Sequence, residues 1–320
     1  DIDVICGEKE QNKEAIEKKL NTDLNLSKNV HFHFIPRDQF SLINNLLIKL
    51  FPPYYYRKYM EWMVLAFSKA NELVEAKNFD IVHQLNMGGY REPGYLWKFD
   101  KPFVWGPING LKNTPWSFIP SLGLKGALFY TARNIINSFQ RNFKKRPKKA
   151  AQRINSELIA STPNDKELIK KYWDRDSEVI SEVGNEEIQK SYFPSIRETD
   201  TELLKVVWSG IHTPRKNLPL LLKAISKADI KVELHILGIG EMTNKWKRLS
   251  KKLNIDNDCI WYGWLKKDKA IEVMSTGHVF CITSVSDATA TVTLEALSYG
   301  LPIICLDHCG FSYVVTDQCG

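Results

Sequence analysis

Short runs of apolar and β-branched residues alternate along the chain with longer segments whose apolar positions recur every three or four residues. In the first half the strand-like runs fall at 3–6, 30–35, 79–85, 102–106, 157–160 and 178–183. Between the second and third of them, Met60, Met63, Val64, Phe67 and Val74 keep helical spacing. Such alternation predicts βα units. Strands of a parallel sheet are covered on both faces, so they read as continuous apolar stretches rather than as alternating ones. A polar stretch at 185–202, containing Pro194 and little periodicity, interrupts the pattern and is expected to be a linker. The pattern restarts with strands expected at 204–209, 232–237, 259–262, 279–283 and 302–306, and helices near 218–227, 242–253, 266–274 and 291–299. The expected architecture is α/β: two Rossmann-like, doubly wound parallel-sheet domains, 1–184 and 203–320, facing across a cleft. Ligands of such sheets sit beyond the carboxyl ends of the strands, which makes the cleft the first place to look for chemistry.

A length of 320 residues supports two cores, and 43% hydrophobic with 25% charged residues excludes disordered, collagen-like and coiled-coil classes. The six cysteines form no C-x-x-C pair, and four lie in apolar strand-like runs, which points to reduced thiols in a cytoplasm rather than to a disulfide scaffold. No run of 18 apolar residues occurs. The chain opens on Asp1-Ile2-Asp3-Val4 without an initiator methionine and ends just after a strand-like run, as a piece of a longer protein would.

Charge changes this picture in one place. The net charge is +7, yet from Lys101 to Ser156 there are eleven Lys or Arg and no Asp or Glu. Phe118, Leu122, Leu124, Leu128, Phe129, Ile135, Ile136 and Phe139 precede the densest basic part, Arg141 to Arg153, in a stretch expected to be helical. An apolar-then-basic segment over 118–153 suits an anionic membrane surface, and equally a plain solvated basic face. Zinc-finger, RNA-recognition and basic-zipper patterns are all missing, which argues against nucleic acid.

Candidate chemistry centres on residues 283–302, which run strand, small polar loop, helix, Gly300-Leu301-Pro302 and next strand. Small residues from Ala288 to Thr291 would leave the amides of Thr291 and Val292 at a helix N-terminus, where a phosphate is favoured. Eight helical residues separate Asp287 from Glu295 by roughly 12 Å, too far for a hydrolytic carboxylate pair and suited to gripping two ends of one ligand. Alone, Asp287 would be a helix cap and Glu295 a solvated helix residue.

With that segment, the chain resembles a retaining glycosyltransferase of GT-B fold, glycosyltransferase family 4. The family carries an acid, seven residues, Glu, Ala and then Gly-x-Pro; here the first acid is Asp287 rather than the usual Glu. The resemblance implies a nucleoside diphosphate sugar as donor. It places Asp287 on the sugar as a catalytic residue, Glu295 on the ribose, and the Thr291 and Val292 amides beside the diphosphate. Ser209-Gly210-Ile211-His212-Thr213-Pro214-Arg215-Lys216 is similar to the family's Gly-Arg-x(4,5)-Lys segment. Gly210 and Lys216 fit, Ile211 stands where an arginine is usual, and Arg215 or His212 is left to replace that cation. Gly238 lies in a Gly-x-Gly turn, and Trp264 and Leu265 where the base packs. In the first domain, Asp80-Ile81-Val82-His83 resembles a strand ending in a catalytic His, and Trp105-Gly106-Pro107-Ile108-Asn109-Gly110 a Gly-Pro turn on the acceptor side.

Arg91-Glu92-Pro93-Gly94-Tyr95 reads either as acceptor-binding through Arg91 or as a helix starting at Pro93. His83 is as easily a structural histidine. Cys305, His308 and Cys309 lack a further ligand pair, and cations with amides would meet the leaving charge, so no metal is required. The expected activity is sugar transfer to a glycan or lipid-linked acceptor in capsule or lipopolysaccharide assembly, in the cytoplasm or peripheral on the inner face of the plasma membrane. Other readings stay open: a nucleotide-sugar epimerase, a phosphorylase, or a non-catalytic nucleotide-sugar-binding protein.

Overall fold

The computed structural model describes residues 1–36, 53–85, 88–185, 199 and 203–320. Most of the expected linker at 185–202 therefore lies outside the described residues. Every strand pairing that is defined in register is parallel. Strands β1 (Ile2–Gly7) and β2 (Val30–Ile35) form a two-stranded sheet, joined through helices α1 (Glu10–Thr22) and α2 (Leu24–Asn29). After α3 (Pro53–Ala76), a second sheet has the order β3 (Val82–Gln84), β4 (Phe103–Ile108), β5 (Ser156–Ala160), β6 (Glu178–Val179). Helices α4 (Gly123–Phe143) and α5 (Lys145–Ala151) separate β4 from β5, and α6 (Pro163–Trp173) separates β5 from β6.

The third sheet is built from β7 (Leu204–Ser209), β8 (Val232–Leu237), β9 (Cys259–Gly263), β10 (Val279–Ile282) and β11 (Ile303–Cys305). Its connecting helices are α7 (Leu218–Ile225), α8 (Thr243–Lys252), α9 (Lys267–Ser275) and α10 (Thr291–Ser298), and α11 (Phe311–Val314) follows β11. The strand order is β11-β10-β7-β8-β9. The chain thus runs outward from β7 through β8 and β9, then returns to the other side of β7 as β10. Between β7 and β10 the winding reverses, and there the connections leave a crevice at the strand ends.

Alternation along β7 explains why its centre, Val206-Val207-Trp208, is apolar and buried at every position, with Lys205 and Ser209 only half-buried towards its ends. Val206 and Trp208 pack into one core cluster with Leu222, Ile236 and Trp246, whereas Val207 packs into another with Phe280, Ile282 and Phe311. Two covered faces favour apolar residues at consecutive positions in the middle of the strand. Local chemistry fixes the helix ends. Thr162 caps α6 by accepting from the Asp165 amide, with Pro163 in its first turn. Gly300, at φ 72°, ends α10, and Pro302 keeps the chain from resuming the helix.

Packing divides the chain into two compact units that differ from 1–184 and 203–320. One comprises Asp1–Met87, Arg91–Trp105 and Arg146–Glu157; the other comprises Gly88–Tyr90, Gly106–Lys145 and Leu158–Gly320. Residues 106–145 belong with the third sheet because Leu122 and Tyr130 form an apolar cluster with Val285, backed by Phe118 and Leu306. Two local expectations need correction. The segment Trp105–Gly110 is no simple turn: β4 continues to Ile108, whose carbonyl accepts from the Ser161 amide. No helix starts at Pro93, the first helical residue there being Leu96 of a 3-10 turn.

Candidate functional site

The site lies within the second compact unit, at the carboxyl ends of β7 and β10. Beyond β7 the chain turns through a short 3-10 helix, Pro214–Lys216, closed by Asn217 in the left-handed conformation. Beyond β10 it runs through residues 283–290 before α10 begins. Hydrogen bonds lace the two loops together. The Thr283 hydroxyl donates to the Lys216 carbonyl (2.8 Å) and accepts from Trp208 Nε1 (3.1 Å), and the Val285 amide donates to the Arg215 carbonyl (2.9 Å).

This lacing brings three charged groups together. Lys216 Nζ donates to Asp287 Oδ2 at 2.6 Å, and Arg215 Nη1 reaches the same oxygen at 2.9 Å while donating to the Ser286 carbonyl at 3.0 Å. The Lys216 side chain is 9% exposed and that of Asp287 18%, so water screens this cluster poorly. Two cations share one carboxylate, which leaves an excess positive charge. Asp287 Oδ1 has no protein partner among the described residues. The loop is held from the other side by Cys309 Sγ, which accepts from the Asp287 amide (3.2 Å), and by His308 Nε2, which donates to the Val285 carbonyl (3.2 Å). Burial pushes the Cys309 thiol up to about 12 and His308 down to about 4, so both stay neutral supports.

Asp287 is not a helix cap. Ala290 occupies the cap of α10, and no side chain bonds there. The helical spacing expected between Asp287 and Glu295 fails for the same reason: small polar residues do not hold the first turn, and the helix opens only at Thr291. Glu295 is largely buried on α10, with Lys267 Nζ 3.9 Å away. The Thr291 and Val292 amides stand in the first turn, where helical geometry supplies no acceptor.

His212 cannot supply the cation that Ile211 lacks. Its ring is fully buried among Trp208, Trp246 and Trp261, its Nδ1 lies 2.8 Å from Thr243 Oγ1, and burial lowers its pKa to about 4. Arg215 is the cation in place. The glycines have a steric reason to be here. At Gly238, with φ 107°, a Cβ would lie 2.0 Å from the Gly210 carbonyl oxygen, so no other residue lets these two strand ends approach. Trp264 is exposed and Leu265 is half-buried against the core.

Of the first-half candidates, Asn109 lines the pocket that Asp287 also lines, a space of about 340 Å3. Gly106 serves packing, since a Cβ there would sit 2.3 Å from the Ile159 carbonyl oxygen. His83, exposed on β3, and Arg91, half-buried, belong to the first compact unit. Residues not singled out from sequence complete the pocket, chiefly Lys112, Tyr130, Arg133 and Asp165. Arg133 Nη1 donates to Ser286 Oγ at 3.1 Å. Thr162-Pro163-x-Asp165 has the spacing of a reciprocal cap and was the one available signal for Asp165.

No helix among the described residues is long and apolar enough to cross a membrane, and no three His, Cys, Asp or Glu side chains among them converge as a metal-ligand set. The family model "Glycosyl transferases group 1" matches residues 193–319. The lipopolysaccharide 1,6-galactosyltransferase of Escherichia coli (strain K12) is 31% identical over 126 residues, 38% of this chain and 34% of that protein, so the match spans about a third of the relative. Among solved structures, the lipopolysaccharide outer core galactosyltransferase WaaB superposes with TM-score 0.57 at 17% identity, over 98% of this chain and 83% of that one. Anabaena HepE, solved with UDP-glucose, gives 0.58 at 14% identity, over 98% and 75%. The chain has the α/β fold of the GT-B glycosyltransferases, with parallel sheets and Rossmann-like winding.

Proposed function

We propose that the protein is a retaining glycosyltransferase of family 4 type, moving a sugar from a nucleoside diphosphate sugar to a glycan or lipid-linked acceptor of a bacterial surface polysaccharide. The observation that carries this reading is the Lys216–Asp287–Arg215 cluster beside the first turn of α10, at the point where the sheet winding reverses. Transfer breaks the bond between the anomeric carbon and the diphosphate oxygen, and the electron pair leaves with the diphosphate. The acceptor oxygen takes its place, and the acceptor proton ends on the departing phosphate. Negative charge therefore grows on the leaving group, and Lys216, Arg215 and the Thr291 and Val292 amides meet it with fixed positive charge. Glu295 receives the ribose hydroxyls, the open Oδ1 of Asp287 faces the sugar, and the exposed Trp264 stacks on the base. The reading requires no divalent cation, so turnover persists in EDTA.

The acceptor is presented at a membrane, with the protein peripheral on the inner face. Helix α4 supports this. Leu124, Leu128, Phe129, Ile135, Ile136, Phe139 and Phe143 are exposed along one stripe, whereas Asn134 and Asn137 are buried. The stripe sits in the acid-free segment, so an anionic lipid surface matches both its apolar and its charged character.

A thermal-shift titration with UDP, GDP and ADP tests the donor site. One nucleotide stabilises the protein and the shift disappears in Glu295→Ala. Absence of any shift at millimolar nucleotide overturns the donor reading in favour of a protein without a working donor site.

A further inference from the structure

The pocket has a second positive wall that the donor chemistry does not use. It is formed by the loop after β4 and by the inner face of α4. Lys112 is half-buried and its Nζ donates to the neutral Asn164 Oδ1 at 2.6 Å; among the described residues it makes no ion pair. Burial lowers its pKa, while Asp165, Glu167, Asp307 and Cys309 contribute only at longer range. Arg133 reaches across from α4 to Ser286. The nearby carboxyl of Asp165 is already occupied by neutral donors, the Thr162 hydroxyl on Oδ2 (2.7 Å) and the Leu111 amide on Oδ1 (3.2 Å). On the opposite wall Asp287 is committed to Arg215 and Lys216.

The loop is held rigidly in this position. Asn134 pairs with both the amide (3.0 Å) and the carbonyl (2.7 Å) of Thr114, and Asn137 Nδ2 donates to the Leu111 carbonyl (3.0 Å) and to Asn113 Oδ1 (2.9 Å). Two asparagines buried on a helix whose outside is apolar hold the residues on both sides of Lys112 in the loop. A desolvated ammonium and a guanidinium facing the same pocket are stabilised by an anion, and a phosphoryl group offers enough acceptor oxygens for both.

We propose that Lys112 and Arg133 bind a phosphoryl group carried by the acceptor, separate from the donor diphosphate. This deepens the transferase reading and rests on it: the acceptor is a phosphorylated saccharide or a saccharide on a lipid phosphate. The two sources share the anion and differ in the ester, a terminal monoester dianion against a diphosphate.

Isothermal titration of inorganic phosphate, methyl phosphate and methyl diphosphate into the protein, alone and saturated with whichever of UDP, GDP and ADP binds, tests the proposal. Phosphate binding survives nucleotide saturation, weakens about tenfold or more in Lys112→Gln and in Arg133→Gln, and is kept within about threefold in Lys112→Arg. Nucleotide affinity and the thermal midpoint of the three variants stay near those of the unaltered protein. Preference for methyl phosphate or for methyl diphosphate tells which source is used. Displacement of phosphate by nucleotide, or unchanged phosphate affinity in Lys112→Gln, overturns the proposal. If no nucleotide binds but phosphate still depends on Lys112, the donor reading falls and the anion site stands.

Discussion

Around Lys216 the chain buries charge, whereas helix α4 does the reverse, turning leucine, isoleucine and phenylalanine to solvent and asparagine inward. The two regions are opposite departures from ordinary surface chemistry, and they are compensated differently. Buried charge at Lys216 is balanced inside the protein, by Asp287 and by hydrogen bonds that fix the surrounding loops. The inner asparagines of α4 are also satisfied internally. Its outer stripe is exposed among the described residues, and water penalises it at about 25 cal/mol per Å2. A balance struck inside predicts sensitivity of folding to mutation; a stripe that awaits an outside surface predicts sensitivity of binding alone.

The largest effect expected from this contrast is at Lys216. Lys216→Ala leaves a largely buried Asp287 with Arg215 alone, a loss of about 3 kcal/mol, since breaking a buried pair strands the remaining charge. Denaturant unfolding reads the loss, and the nucleotide-induced thermal shift disappears with it. A variant as stable as the unaltered protein would place the balance of Asp287 on Arg215.

Changes of comparable chemical severity on α4 have a different signature. Leu128→Glu, Ile135→Glu and Phe139→Glu together change stability by less than about 0.5 kcal/mol per site, because all three side chains are exposed. Sedimentation with phosphatidylglycerol vesicles falls at least about tenfold, and with phosphatidylcholine vesicles there is little to lose. Replacing Lys144, Lys145, Lys148 and Lys149 lowers vesicle binding in the same assay. Strong destabilisation by the glutamates, with vesicle binding intact, would mean that the stripe packs against protein.

The same contrast marks how far sequence carried. The strands of the third sheet were legible because two covered faces make most of their positions apolar, with few exceptions such as Lys205, Glu233 and His235, and Asp287, Lys216 and Gly238 because fixed spacing and backbone need persist in the letters. At Gly238 only glycine avoids the Gly210 carbonyl. The choice between Arg215 and His212 stayed open because nothing local shows that three tryptophans will enclose the histidine. Lys112, Arg133 and Asp165 escaped because they come from separate elements that meet only after folding. On α4 the periodicity was visible and the polarity of its faces was not: apolar spacing gives a stripe but does not say which side of the helix the core takes.

The smallest effect is a pH dependence that separates the two kinds of burial. Asp165 is 4% exposed and has no ion pair among the described residues; burial raises its pKa from the ordinary 3.8 to about 6, with Glu182 adding to the rise and Thr162, the Leu111 amide and Lys112 opposing it. A folded-state pKa above the unfolded one means that the folded protein holds its proton more tightly. The contribution of Asp165 to stability is thus present below pH 3.8 and lost as pH rises through about 6, a change of about 3 kcal/mol at most. Asp165→Asn removes this component while its side-chain oxygen can still accept from the Leu111 amide. Denaturant midpoints measured between pH 4 and 7 therefore fall with rising pH more steeply in the unaltered protein than in the variant. Parallel curves would show that Asp165 titrates alike in the folded and unfolded protein, its burial offset by Lys112 and the Thr162 and Leu111 donors.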